Sequence, residues 1–288
     1  MTELLIKAAN ASVVVFVVSS TLNVGLRLTV SQILQPLRNL RLVALSLLAN
    51  FVLAPAAAMA LSGVLGLDEP LRIGLLLCGV AAGAPFVLKL ADLAKGNMAF
   101  AVGLMVMLMV ATIGYMPLVL PLLLTGVSVD PASIARSLIV MMLVPMALGL
   151  AIRAWYQNAA AQLAPLVGGL SSISMVLVVT LTTAGHFNNV LTVLGTFGIF
   201  AAAAFTAICA GLGWLLGGPA ADTRGVLALG TAQRNVAAAF VVAGQNFDDP
   251  RVVVMITVVM IVAFVMLMPL ARMLGTRPRP TPVGVHAA

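Results

Sequence analysis

Apolar stretches long enough to cross a bilayer recur from one end of the chain to the other, and they constrain its fold more than any other feature. A helix needs ~20 residues to traverse ~30 Å of hydrocarbon. Nine stretches of that order are present, at roughly 4–26, 38–62, 70–95, 97–124, 132–154, 159–184, 187–217, 222–247 and 251–274. Barrel strands of ~10 alternating residues do not fit them. Of 288 residues, 62% are hydrophobic and 8% charged, whereas soluble domains carry roughly 25% charged residues. Too few polar groups remain to coat a water-soluble surface. The expectation is an all-α membrane protein with nine transmembrane helices.

Breaker-rich segments such as "SGVLGLDEP", "GVSVDP", "GGPAAD" and "FDDP" mark short connections, so one transmembrane domain is expected over residues 1–288. The start, "MTELLIKAAN", carries an acid before its lysine and runs into a full-length span, unlike a cleaved signal peptide. The tail from 276 to 288 reads as disordered and cytoplasmic.

Net charge is +7, which invites a nucleic-acid reading until the charges are sorted by side. Lys7, Arg72, Arg136 and Arg251 fall on the side of the N-terminus, and nine loop bases fall on the other, including Arg27, Arg153, Arg224 and Arg272. The positive-inside rule then puts the N-terminus outside and the C-terminus in the cytoplasm, as expected for a multi-pass protein of the inner (plasma) membrane. The excess is topological, and no nucleic-acid partner is expected. Cys78 and Cys209 lie within spans and read as small apolar side chains.

No zinc-protease, nucleophile-elbow, Walker A or C-x-x-C stretch occurs, which argues against an enzyme and against a nucleotide-driven pump. No metal or cofactor is expected. "GLGWLLG", Gly211 to Gly217, misses the dinucleotide spacing and reads as close helix packing through small residues. His186 reads as a solvated loop histidine, and the sixteen methionines as packing or lipid-facing residues.

Two spans depart from plain hydrophobicity. The third contains Gly83 and Pro85, and the eighth contains Gly230 followed by Thr231, Gln233, Arg234 and Asn235. Both are expected to break about a dozen residues in, at Gly83, Pro85 and Gly230, and to meet in opposite orientation near mid-membrane. Paired interruptions of this kind point to the binding site of a secondary transporter. Backbone groups released from the helix ladder must find partners or line a wet cavity.

In order and spacing, "STLNVGLRLT", "NFVLAP", "LAKGN", the eighth span and "FDDP" resemble the bile acid:sodium symporter family over nearly the whole chain. That resemblance implies an inverted-repeat fold with two broken helices crossing, the first repeat at about 1–126 and the second at about 127–275. It also implies a panel formed by spans one, five and six, with a core formed by the rest. It further implies two sodium sites, but their ligand positions fall on Val87, Leu88, Ala101, Met105, Gly230 and Arg234, and a glutamine of the second span is shortened to Asn50. Sodium needs several oxygen ligands, and these residues remove nearly all of them. Lys89 and Arg234 add fixed cations instead.

The expected function is alternating-access transport of a small organic anion, not coupled to sodium. Arg234, Asn235, Lys89, Gln233, Thr231 and Asn50 are the candidate substrate-binding residues. Arg234 has a second reading as a strut that caps unwound carbonyls, and Lys89 has one as a residue that snorkels or pairs with Asp92. A sodium-coupled symporter, an anion channel and a non-transporting sensor are the alternatives. Partners are the anion and the bilayer.

Overall fold

The computed structural model describes residues 2–124, 130–185 and 196–276. His186 and residues 277–288 of the tail lie outside the described residues. All regular structure among the described residues is helical. Helix α1 spans Thr2–Arg27 and α2 spans Val30–Leu34. Helix α3, Leu40–Leu48, runs through a π turn at Ala49–Leu53 into α4, Ala54–Val64. Then come α5, Glu69–Val80, α6, Val87–Leu93, and α7, Met98–Leu123. Helix α8, Pro131–Leu138, runs through a second π turn at Ile139–Leu143 into α9, Val144–Trp155. The chain continues with α10, Gln157–Gly185, α11, Gly198–Leu216, α12, Ala221–Ala232, α13, Val236–Asn246, and α14, Pro250–Thr276.

Among the described residues, eight helical runs are long and apolar enough to cross a bilayer. The segment expected as the third span is divided between α5 and α6, of 12 and 7 residues, each too short to cross alone. Side chains set several helix starts: Asn39 accepts from Leu42 N, Asn97 from Phe100 N, and Asp130 from Ala132 N and Ser133 N. Each satisfies a first-turn donor that has no partner within its own helix.

Both π turns precede a proline, Pro55 or Pro145. A proline has no N–H to return to the carbonyls four and five residues back, so those oxygens are released. Side chains collect them. Tyr115 Oη donates to Phe51 O at 2.5 Å, and Thr21 Oγ1 reaches Met141 O at 3.4 Å.

Helices α1, α9 and α10 pack on one another. At the α1–α9 crossing the backbones touch: a Cβ on Gly25 would stand 2.2 Å from Met146 O, and one on Gly149 2.5 Å from Leu22 O. "GLGWLLG" packs similarly at two of its glycines, where a Cβ on Gly213 would meet Leu227 O and one on Gly217 would meet Arg224 Cα, each at 2.4 Å. Gly211 faces open space.

The segment Ala221–Asn246 lies at the centre, its apolar window 100% buried against 22% for α10. Its direction follows from its ends. Arg251, just beyond α13, donates to Asp68 at the start of α5 at 2.7 Å, and Asn97, just beyond α6, donates to Asp222 at the start of α12 at 3.4 Å. The two interrupted segments therefore run antiparallel.

Arg251 also holds Asp249 at 2.7 Å. Hydrogen bonding from Arg251 keeps the Asp249 carboxyl below its ordinary range. Because the folded state lowers this pKa, the stabilisation is present above the unfolded value of ~3.9 and is lost as pH falls through the lower folded value. Both side chains are over one third exposed, so solvent screens the pair. Asp249→Asn is expected to lower the melting midpoint slightly at pH 7 and not at all at the acid end. Melting curves of both proteins from pH 7 down to strong acid check this.

Candidate functional site

The helical ladder of α5 stops at Val80 and that of α12 at Ala232. The interruption in the second segment falls at 233–235, after Gly230, which stays inside α12 as a helical residue. This corrects the sequence expectation of a break at Gly230. A glycine is tolerated within a helix, and here its missing side chain serves packing: a Cβ on Gly230 would lie 3.0 Å from Leu104 Cδ2 and 3.3 Å from Val87 Cγ2. Between α5 and α6, Gly83 adopts φ +82°, and a Cβ there would stand 2.2 Å from Met109 N on α7. Pro85 lies in the same interruption and is half-buried.

Each interruption releases carbonyls, and Arg234 collects them from three segments. Its Nε donates to Cys78 O at 2.9 Å and Nη2 to Gly79 O at 2.7 Å, both at the C-terminal end of α5. Nη1 donates to Thr231 O at 3.0 Å, at the C-terminal end of α12, and to Asn50 Oδ1 at 2.8 Å. Nη2 also approaches Asn50 O at 3.4 Å, one of the oxygens that Pro55 leaves unpaired. A guanidinium has five N–H donors, and here they meet five acceptors. The side chain is 1% exposed.

Two helix C-termini, each with a partial negative charge, face this one cation. The arrangement makes a membrane-depth guanidinium tolerable, since an unpartnered one costs at least ~2.5 kcal/mol. Among the described residues Arg234 is the sole charged side chain in the buried set, so no buried carboxylate there neutralises it.

Asn235 completes the crossing. Its backbone N donates to Ala81 O at 3.0 Å, its Nδ2 reaches Ala82 O and Gly83 O, and its Oδ1 accepts from Ala238 N to cap α13. Asn50 donates to Ser46 O at 3.0 Å and to Thr231 Oγ1 at 3.2 Å. Thr112 of α7 both accepts from Ala82 N and donates to Ala82 O. Gln233 differs: it is 2% exposed, and its Oε1 is buried without a partner. Lys89 is exposed on α6 and makes no ion pair with Asp92 among the described residues.

The structure thus brings Arg234, Asn235, Thr231 and Asn50 into one network, with Gln233 beside them in sequence and Lys89 outside it. Sequence reasoning missed Tyr115, Thr112 and the carbonyls of Cys78 and Gly79. The proline of "NFVLAP" was the available clue, because it announces unpaired oxygens at Asn50 and Phe51.

A helical bundle of membrane-length runs, with a caged guanidinium at its centre, defines a multi-span helical membrane protein. The sodium bile acid symporter family matches residues 14–193, and the chain belongs to that family. No curated protein matches it.

Proposed function

We propose that the chain carries a small organic anion by alternating access without sodium coupling, and that Arg234 stands as a fixed charge where the family resemblance puts a metal ion. The observation that carries this reading is the fivefold engagement of the guanidinium by carbonyls and an amide at the meeting of two interrupted helices. A hard cation would want those same oxygens.

The remaining expected sodium positions do not fit an ion. Val87, Ala101 and Met105 are buried apolar residues, and Leu104 and Val87 fill the space next to Gly230. No transport step is therefore assigned to sodium. Because dipoles and not a buried carboxylate face Arg234 among the described residues, its field favours a negative visitor.

Since all five donors of Arg234 are engaged, it acts on the anion through its field. Asn235, Thr231 and Asn50 hold the crossing in shape. Gln233, with hydrogen-bonding capacity to spare, and exposed Lys89 are the groups we assign to direct contact. Movement takes place between the group of α1, α8, α9 and α10 and the remaining helices. The N-terminus faces outward across the plasma membrane, as the positive-inside count favours.

Uptake of carboxylates and sulfonates into liposomes tests this, with sodium and pH gradients varied independently. Saturable uptake indifferent to sodium is expected; steep dependence on external sodium would overturn the reading, and non-saturating flux would mark a channel. Gln233→Ala should raise KM about 3- to 10-fold, the worth of one hydrogen bond. Ser137 of α8 and Gln245 of α13 are hydrogen-bonded across the two groups. A disulfide between cysteines placed there should arrest a carrier and release it on reduction.

A further inference from the structure

A groove on the flank of the bundle has no part in the transport reading. Gly211, Trp214 and Leu215 of α11, Ala228 of α12, and Leu270 and Leu274 of α14 line an apolar depression of about 410 Å³. Arg224, at the start of α12, stands beside Trp214 of that lining. Its guanidinium carbon sits 5.5 Å from the Trp214 ring centroid, and its Nε donates to Gly218 O at 3.1 Å. The neighbouring Gly225 places this arginine beside Leu274, whose Cδ1 lies 3.6 Å from where a Gly225 Cβ would be. Four N–H groups on its two terminal nitrogens have no hydrogen-bond partner among the described residues. Arg272 of α14 is exposed at the same end of that helix as Leu270 and Leu274.

Within a bilayer an apolar wall gains little by exchanging one lipid tail for another, so the groove supplies shape and its charged end supplies selection. A guanidinium fork matches a phosphate through paired N–H···O bonds, and stacking on Trp214 fixes the plane of that fork. Basic pockets between transmembrane helices on the cytoplasmic side hold anionic headgroups, and the positive-inside count assigns this end to that side.

We propose that the groove is a binding site for one anionic glycerophospholipid, with an acyl chain along α11, α12 and α14 and the phosphate on Arg224. This site is independent of the anion carried. It bears on the central crossing only because α12 is shared by both.

Native mass spectrometry of the full-length protein tests it, with phosphatidylglycerol and phosphatidylcholine of identical chains supplied in equal amounts. The wild type should retain phosphatidylglycerol with about a five-fold preference, corresponding to one arginine near the membrane surface. Arg224→Gln should abolish the preference. Gly211→Leu provides a second variant that leaves the protein packing intact, because Gly211 lines the groove and a Cβ there meets nothing within 4 Å. It should lower retention of both lipids. Equal retention by the wild type, an undiminished preference in both variants, or a second copy of the chain in place of lipid would overturn the proposal.

Discussion

Replacing Arg234 with glutamine is expected to destabilise the protein by about 3–5 kcal/mol, the usual cost of removing one partner from a buried charged cluster. In a chain of this size that corresponds to a melting midpoint lower by roughly 5–8 °C. Cys78 O, Gly79 O, Thr231 O and both oxygens of Asn50 would lose the donor they share. Arg234→Lys keeps the charge but has three donors on a single nitrogen, so it should fall between wild type and glutamine. Thermal unfolding in detergent, monitored by circular dichroism in sodium and in potassium buffers, checks both claims. The wild-type midpoint should be the same in either salt; a rise specific to sodium would falsify the view that the guanidinium occupies the cation position.

The second large effect is expected at Gly83. Alanine there must adopt φ +82° and also bring its Cβ to 2.2 Å from Met109 N, which belongs to a helix backbone that cannot step aside. Left-handed strain costs about 1–2 kcal/mol and overpacking another 1–3 kcal/mol. Gly66 supplies the control: its φ is +58°, but a Cβ there meets nothing within 4 Å. Gly66→Ala should therefore show the strain alone, about 1–2 kcal/mol. If the two alanine variants melt together, the interruption between α5 and α6 does not depend on its close approach to α7.

The difference between these glycines illustrates how far a sequence can be read. Both lie near breakers, and nothing local separates a glycine in a turn with free space from one pressed against another helix. Gly230 shows the converse. Its position before a polar run suggested a helix end, yet the ladder continues to Ala232, and the residue is small because Leu104 and Val87 occupy the space beside it. Lys89 and Asp92 have the spacing of an ion pair on one helix face and do not form one among the described residues. Spacing allows such a contact, but the neighbours of the two side chains decide it.

The sequence by itself determined the helical membrane class, the family, and the two segments where polar residues interrupt apolar runs. These properties are sums along the chain, since hydropathy over ~20 residues fixes whether a segment partitions into hydrocarbon whatever its neighbours are. Only the tertiary structure decided what Arg234 does. A guanidinium at membrane depth must find acceptors, and the sequence holds no carboxylate beside it to suggest which. Three of its five acceptors are backbone oxygens of residues more than 150 positions away, released by a proline and by the end of α5. Every residue carries the same carbonyl, so that information becomes visible only when the fold brings the ends together.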